Sequence, residues 1–255
     1  MDLERLLAYW RAQDALFQGV QETPWGAVVS DERYPAIQEP NYARVETREP
    51  VRLGEVEAEL LPAMARSGSS RSHVVIFFPE DQTQLIAEAS TRGERISWDL
   101  VMVHGGEAVG EADGRVEEVH DFDAAFWMAH AASTRLFDMD EQPAVDQLQA
   151  LEREVLIPGG RRWLAVREQG APIALAAFLV LEGAAYLDHV VTFPAARRRG
   201  YARALTRRAL AEAVAAGARR AFLLAEPGGP AEQLYARLGF VRAGYLAGWL
   251  STIPR

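Results

Sequence analysis

The chain has 255 residues and no cysteine, and its 27 basic residues, all arginine, face 36 acidic ones, for a net charge of −9. These numbers exclude disulfides, thiolate chemistry and lysine Schiff bases, and the 49% of hydrophobic residues is typical of a globular protein. The longest apolar run, 173–181, is too short to cross a bilayer and no signal peptide opens the chain, so we expect a cytoplasmic protein without a membrane partner.

The first half of the chain predicts a loose alternation of helices and strands. Apolar residues at helical spacing predict helices, and short runs rich in β-branched or aromatic residues predict strands. The predicted helices are 3–16, 53–65 and 82–89, and the predicted strands are 26–30, 42–46, 74–78 and 96–103. The acidic, glycine-containing stretch 105–118 is poor in apolar residues, so we place the linker there and the domain boundary between 117 and 118.

The second half has the clearer pattern. It predicts helices at 121–135, with Asp121 as N-cap, and at 143–155, and then strands at 162–168, 172–181 and 185–193. A helix at 201–216, a strand at 220–225, a short helix at 231–238 and a final strand pair within 240–252 follow. This order predicts a mixed α/β sheet with helices on both faces. The helix–glycine–strand order of 85–103 recurs at 234–250, which fits either a degenerate duplication or two helices that each end at a glycine.

The strongest chemical signal is the segment 190–202, with the sequence VVTFPAARRRGYA. A buried strand ends at a proline, and a short arginine loop leads into an alanine-rich helix. Unpaired backbone N–H groups and the helix dipole favour an anion at such a helix start, and the planar arginine fork binds phosphate bidentately. We therefore predict a diphosphate site formed by Arg197, Arg198, Arg199, Gly200, Tyr201, Ala202 and Arg203.

Charge along the chain supports a site of this kind and limits the alternatives. Residues 1–150 hold 12 arginines and 28 acidic residues, and residues 151–255 hold 15 and 8, so the halves carry net charges of −16 and +7. This asymmetry predicts that one half meets an anion and the other a cation. A solvated basic turn or a nucleic-acid patch is the alternative interpretation of the arginine loop, and the overall negative charge disfavours a nucleic-acid partner. The chain has no Walker loop, no GxGxxG after a strand and no HExxH, EF-hand or GxSxG motif.

Two motifs together resemble those of the GCN5-related N-acetyltransferases (GNAT). The run Arg197-x-x-Gly200-x-Ala202 resembles the acyl-CoA pyrophosphate motif of that family, and 231–240 resembles its second motif, a helix with a tyrosine before Gly-Phe. The resemblance covers about 118–250 and implies a mixed, mostly antiparallel GNAT-type sheet flanked by helices. Many relatives carry an asparagine before the second helix, which the loop 226–230 lacks.

The first half then resembles a degenerate second copy of the same domain, without the arginine loop. We therefore expect two tandem lobes, a GNAT-like domain at 1–117 that does not hold acyl-CoA and a catalytic, acyl-CoA-binding domain at 118–255.

The resemblance also implies a reaction, the transfer of an acyl group from acetyl-CoA or another acyl-CoA to an amine. Direct attack in a ternary complex is expected because the chain has no cysteine to carry the acyl group, and no metal is expected. By resemblance, the strand Val190, Val191 and Thr192 pairs with the pantetheine arm and lends a backbone N–H to the thioester carbonyl. Tyr235 is the candidate acid for the leaving thiolate. Asp188 is the preferred candidate base, with His189 or a water as alternatives, and strand alternation lets at most one of these two side chains face the cleft.

Three other functions remain open at this point. They are an aminoacyl transferase on a tandem GNAT fold, which the arginine loop disfavours, a non-catalytic acyl-CoA-binding or regulatory module, and an interaction protein that binds RNA. The acceptor is expected to be a small-molecule or peptide amine, and the acidic cluster 138–141 is a candidate for attracting a cationic one. The sequence leaves open whether the protein forms a homodimer.

Overall fold

The computed structural model describes residues 3–105, 113–137 and 139–253. The chain divides into two compact units, the first formed by residues 1–101 together with 243–255 and the second by residues 102–242. Within the described residues, no helix is long and apolar enough to cross a bilayer.

Helices and strands alternate along both units. In chain order the helices are α1 (Leu3–Asp14), α2 (Leu53–Ser67), α3 (Thr83–Thr91), α4 (Ala124–Thr134), α5 (Gln142–Leu151), α6 (Tyr201–Ala215) and α7 (Pro230–Ala236). The strands are β1 (Gly19–Thr23), β2 (Gly26–Ser30), β3 (Tyr42–Val45), β4 (Arg71–Ile76), β5 (Ser97–His104), β6 (Glu117–Glu118), β7 (Arg162–Glu168), β8 (Ala171–Leu181), β9 (Ala184–Thr192), β10 (Arg220–Ala225) and β11 (Val241–Thr252). Short 3₁₀ turns cover Arg135–Phe137 and Pro194–Ala196, and a π-helical turn covers Glu152–Leu156.

The sheet of the first unit takes its strands from both ends of the chain. Its order is β1-β2-β3-β4-β11-β5, in which β3 and β4 run parallel while β1/β2, β2/β3 and β4/β11 are antiparallel. Trp249 of β11 lies opposite Val74 of β4, and both side chains belong to a core that α2 and α3 cover. The last strand of the chain therefore completes the first unit.

The second unit is a sheet of order β10-β9-β8-β7-β6 with helices packed on it. Strands β9 and β10 run parallel, whereas the other pairs are antiparallel. Helix α6 contacts β7, β8 and β9, and α4 contacts β8. Phe126 of α4 and Trp163 of β7 are fully buried in a core shared with residues of β8 and β9. The predicted mixed, mostly antiparallel sheet flanked by helices is thus confirmed.

The same crossover occurs in each unit. Strand β3, helix α2 and the parallel strand β4 form one strand–helix–strand crossover, and β9, α6 and β10 form the other. Parallel neighbours need such a crossover because a tight turn reverses the direction of the chain. Each unit therefore contains one parallel strand pair joined by a helix.

Three elements of the structure differ from the prediction. Strand β1 was not predicted. Helix α4 is capped by Asp123, whose carboxylate accepts a hydrogen bond from the N–H of Phe126 at 2.7 Å, so the N-cap role expected of Asp121 was wrong. The predicted strand pair at the C-terminus is a single strand, β11.

The division into units also differs from the expected boundary between 117 and 118. Residues 243–255 belong to the first unit because β11 pairs with β4. At the other end, Glu117 and Glu118 of the expected linker pair with β7 inside the second unit. Residues 106–112 of that linker lie outside the described residues.

Candidate functional site

The loop between β9 and α6 forms a helix start with no side-chain cap. Strand β9 ends at Thr192 and α6 begins at Tyr201, with Gly200 as its N-cap at φ 83°. No side chain accepts a hydrogen bond from the first turn, so its N–H groups and the positive end of the helix dipole are available to an anion. A Cβ at Gly200 would approach only the end of the Arg203 side chain, at 3.5 Å, so the left-handed backbone rather than space requires glycine here.

A cavity of about 650 Å³ opens beside this helix start. Six arginines and no acidic residue line the part of it that the structure describes: Thr192, Arg197, Arg198, Arg199, Gly200, Tyr201, Ala202, Arg203, Arg207, Leu234, Arg237 and Leu238. Arg199 is paired with Glu168 at 2.8 Å. The other five arginines have no carboxylate within ion-pair distance in the described part of the chain. The wall is therefore strongly positive.

Two polar atoms of the cavity wall are buried without a hydrogen-bond partner in the described chain. They are the hydroxyl oxygen Oγ1 of Thr192 and the Nε atom of Arg207. Buried polar atoms are nearly always hydrogen-bonded in native proteins, so two such atoms in one wall point to a polar ligand. The residues present thus fit the diphosphate of an acyl-CoA, which offers oxygen acceptors to arginines, a hydroxyl and backbone N–H groups.

Beyond its first residues, β9 has one edge without a neighbouring strand. Its parallel pairing with β10 covers only Ala184–Tyr186, where the rings of Tyr186 and Phe222 stack at 4.9 Å. From Leu187 to Thr192, β9 is paired with β8 alone in the described register. Backbone N–H and C=O groups along the other edge can therefore bind an extended ligand.

A β-bulge interrupts β9 at the candidate base. Asp188 pairs with Ala177 and Val191 with Leu175, so His189 and Val190 together lie opposite one residue of β8. His189 has φ 51°, in the left-handed region. A bulge breaks the alternation of side chains along a strand, so the expectation that Asp188 and His189 must point to opposite faces does not apply.

Asp188 is held by an arginine. Its carboxylate accepts a hydrogen bond from Nη2 of Arg161 at 2.6 Å and another from the N–H of His189 at 2.6 Å. Arg161 also pairs with the buried Glu152, at 3.3 Å. Burial would raise the pKa of Asp188, but Arg161 and these hydrogen bonds outweigh it and hold the pKa below its usual range. Asp188 is therefore a carboxylate with little basicity near neutral pH.

His189 lies in an aromatic environment. Its ring stacks on His130 with centroids 5.3 Å apart and contacts Trp163 and the half-exposed Phe137. Burial lowers its pKa to about 4, although the nearby Asp188 raises it. The ring is therefore neutral at neutral pH. Its Nε2 lies 2.6 Å from Oγ of Ser133, whose hydroxyl donates to the carbonyl of His130. When the single hydroxyl proton is directed to that carbonyl, Nε2 carries the ring proton and Nδ1 keeps the lone pair.

Tyr235 is buried on α7 with its ring against Phe240. Burial and the charge of Asp188 raise its pKa to about 12. The hydroxyl thus keeps its proton at neutral pH and can only donate it or share it in a hydrogen bond. The influence of Asp188 places the two side chains within electrostatic reach of each other.

A family comparison identifies the domain that carries this site. The sequence model of the Acetyltransferase (GNAT) family matches residues 117–240, which span the loop, the cavity and the bulge. Residues 117–240 form a GNAT-family domain. A comparison with curated proteins found no match.

Solved structures show the fold of the GNAT domain and of the residues before it. A conserved protein of unknown function from Staphylococcus epidermidis ATCC 12228 has a TM-score of 0.73 and 13% identity, over 93% of this chain and 95% of the other. A GCN5-related N-acetyltransferase from Kribbella flavida has a TM-score of 0.67 and 19% identity, over 100% and 97%. A tandem GNAT protein from the clavulanic acid biosynthesis pathway, 12% identical, has a TM-score of 0.50 over 75% and 67%. At these identities the likeness shows the fold alone.

The predicted site residues fall into two groups in the GNAT domain. Those from Thr192 to Arg203 meet in the cavity wall, where Tyr201 is buried with its hydroxyl bonded to Glu168 at 3.2 Å. The second group lies outside that wall and consists of Val190, Val191, Asp188, His189 and Tyr235. Within the described residues, no group of three or more metal-ligating side chains is arranged around a common point.

Two arginines of the cavity were not predicted. Arg207 lies four residues after Arg203, on the same face of α6, so helical spacing could have indicated it. Arg237 comes from the end of α7, and only the folded chain brings it to the wall. Of the predicted acidic cluster, Asp140 and Glu141 are exposed and Asp138 lies outside the described residues.

The loop before α7, which lacks the family asparagine, is held by an acid instead. Glu232 accepts a hydrogen bond from the N–H of Gly228 at 2.7 Å and another from Arg242. The corresponding helix start in the first unit, at α2, is occupied by carboxylates. The N–H of Leu53 donates to Glu88 at 2.8 Å, and the N–H of Arg52 donates to Glu55 at 2.7 Å. Protein carboxylates thus bind the backbone N–H groups at the start of α2, whereas no side chain caps the start of α6.

Proposed function

We propose that the protein is an N-acyltransferase that uses acyl-CoA, in the first instance acetyl-CoA, and an amine acceptor. The observation that carries this proposal is the uncapped start of α6 beside a cavity with five arginines that have no ion-paired carboxylate among the described residues. Charge-assisted hydrogen bonds of this kind contribute about 1.5 to 3 kcal/mol each, so about three to six of them match the roughly 8 kcal/mol of a micromolar CoA complex.

The open edge of β9 supports an orientation for the rest of the donor. The diphosphate lies against the backbone of Gly200 and Tyr201, and the pantetheine arm runs along the edge from Thr192 towards Val190. In this orientation a backbone N–H of the strand donates to the thioester carbonyl. A fixed donor of that kind stabilises the oxyanion that forms when an amine attacks.

Proton transfer is assigned to Tyr235 and His189. Tyr235 stays protonated because its pKa is raised, so it donates a hydrogen bond or a proton to the leaving thiolate. Asp188, the base preferred from the sequence, is already bound to Arg161. We therefore propose that Nδ1 of the neutral His189 accepts the proton of the attacking amine. The charge of Asp188 raises the pKa of that ring. The amine proton becomes more acidic as its nitrogen bonds to the carbonyl carbon, so a weak base is sufficient.

The first unit is proposed to be a degenerate GNAT-like copy that does not hold acyl-CoA. Glu88 and Glu55 supply the anions for the start of α2, and a diphosphate would be repelled by them.

Thiol release from acetyl-CoA, measured against a panel of amines, tests the activity. Turnover with at least one amine is expected, together with CoA binding by calorimetry. CoA affinity without turnover on any amine would favour the non-catalytic acyl-CoA-binding module instead. Absence of both would refute the proposal.

A further inference from the structure

The first unit contains a cavity of about 780 Å³, larger than the arginine cavity of the second. Its wall combines one face of α3 with the chain after β4 and the starts of β5 and β11. The lining residues that matter here are Arg48, Phe78, Glu80, Ala87, Trp98 and Tyr245. A volume of this size is in the range of small-molecule sites.

Helix α3 presents mostly small side chains to the cavity. Thr83, Ile86, Ala87 and Ser90 follow the spacing i, i+3, i+4 and i+7, which places them on one helix face. The buried core residues of α3 are Leu85 and Ala89 on another face, and Ile86 packs partly against the same core. The helix therefore leaves room in front of the cavity instead of filling it.

The opposite wall is aromatic and open to solvent. Trp98 of β5 is 44% exposed and Tyr245 of β11 is 37% exposed, and their rings meet edge to face at 6.4 Å. Large aromatic side chains are enriched where proteins bind ligands because they offer wide contact surfaces. These two rings are available as such a surface.

The charged side chains of the cavity wall determine whether it favours a cationic or an anionic ligand. The one basic side chain among the described lining residues, Arg48, lies 4.0 Å over the ring of Phe78, and its Nη1 is 2.8 Å from Asp81 and 3.8 Å from Glu80. Glu80 lines the cavity and Asp81 lies next to the described lining, so two carboxylates against one guanidinium leave this end with a net charge of −1. An anionic ligand is therefore disfavoured, whereas a cation gains from the carboxylates and from the faces of the aromatic rings.

We propose that this cavity is a second ligand site, which binds a small organic cation consisting of an ammonium group on an apolar body. The apolar body lies between α3 and the rings of Trp98 and Tyr245, and the ammonium group lies towards Glu80. The site is independent of acyl-CoA, since its lining residues and those of the arginine cavity do not overlap.

Three probes with the same phenyl body and different charge test this directly: phenethylammonium, 2-phenylethanol and phenylacetate. Calorimetry on the full chain should show the cation binding about tenfold more tightly than the neutral alcohol, with phenylacetate weakest, because a cation–π contact and a nearby carboxylate together provide that factor. Equal affinities for the three probes, or tighter binding of phenylacetate, would overturn the proposal.

Variants locate the site. Trp98→Ala should weaken phenethylammonium binding about tenfold, and Glu80→Gln should reduce the preference for the cation over the alcohol. Ala87→Trp, an exposed substitution on α3 that needs no change in the core, should fill the cavity and abolish binding. Glu22→Gln, which removes an exposed acid of β1, and Arg197→Ala, which should weaken CoA binding alone, are the matched controls. Unchanged cation affinity in both Trp98→Ala and Ala87→Trp would refute the assignment.

Discussion

The substitution Gly200→Glu separates the helix-start site from its alternatives. It places a carboxylate at the N-cap of α6, where the proposed diphosphate lies, and leaves the arginines of the cavity intact. A solvated basic turn would tolerate this change, whereas an anion site would not.

The expected magnitude has two parts. Gly200 has φ 83°, and a residue with a Cβ pays about 1 kcal/mol for that conformation, mostly as lost folding stability shared by the free and bound states. The new charge acts on binding. Two unit charges roughly 5 Å apart at an effective dielectric of about 20 repel by about 3 kcal/mol, which lowers affinity by about 100-fold or more.

Titration calorimetry with CoA and with pantetheine, which lacks the diphosphate, resolves these parts. Gly200→Ala should lower stability but change CoA affinity little, because its Cβ meets only the end of Arg203 at 3.5 Å. Gly200→Glu should lose CoA binding and keep whatever affinity it has for pantetheine. Gly93→Glu, at another left-handed glycine with open space around it, controls for backbone strain. Unchanged CoA affinity in Gly200→Glu would refute the diphosphate site.

Four further substitutions test the chemistry and the core around it. Tyr235→Phe should lower kcat at least tenfold and change acetyl-CoA affinity much less, because it removes only the hydroxyl; equal kcat in the two proteins would leave Tyr235 a packing residue. The pH–rate profile should have an acid limb near pH 4, set by His189, which must be neutral to accept a proton. His189→Gln should abolish that limb, and Asp188→Asn should move it to lower pH, because the carboxylate raises the pKa of His189. A limb that disappears in Asp188→Asn and persists in His189→Gln would identify Asp188 as the base. His130 is fully buried with both ring nitrogens unpartnered in the described chain and a pKa lowered to about 2, so it is neutral. His130→Phe should therefore raise the free energy of unfolding by about 1 kcal/mol in denaturant titrations, and a loss of similar size would show that these nitrogens are hydrogen-bonded in solution.

The sequence predicts most of the second unit because its strands are apolar and its helices α6 and α7 end close to Gly217 and Gly239. Prediction failed for β1, whose middle residues Val20, Gln21 and Glu22 are exposed, so that burial leaves no periodic pattern. It also failed for β11, which was expected to be two strands. This strand contains Gly248, where a Cβ would lie 2.3 Å from the carbonyl oxygen of Val74. The glycine permits close approach of two strands, and composition alone cannot separate that role from a turn.

The candidate site was predictable where it is local in sequence and not where it depends on tertiary contacts. The helix start at Gly200 and its flanking arginines are contiguous, so the motif contained them. The low pKa of Asp188 depends on Arg161, which is 27 residues away. The neutrality of His189 depends on its burial beside Ser133. Neither contact has a signature at the level of residue spacing.

Net charge proved a poor guide to where an anion binds. The halves of the sequence differ by 23 charges, yet the folded units carry −6 and −3, with 11 arginines against 17 acids in the first and 16 against 19 in the second. Charges more than about 8 to 10 Å apart are screened at physiological ionic strength, so a ligand responds to the walls of its own cavity. Among the described residues, five arginines of one cavity lack an ion-paired carboxylate, whereas the single arginine of the other is paired with Glu80 and Asp81. The charge that acts on a ligand is therefore that of its own cavity and its immediate neighbours, and it cannot be read from the charge of half a chain.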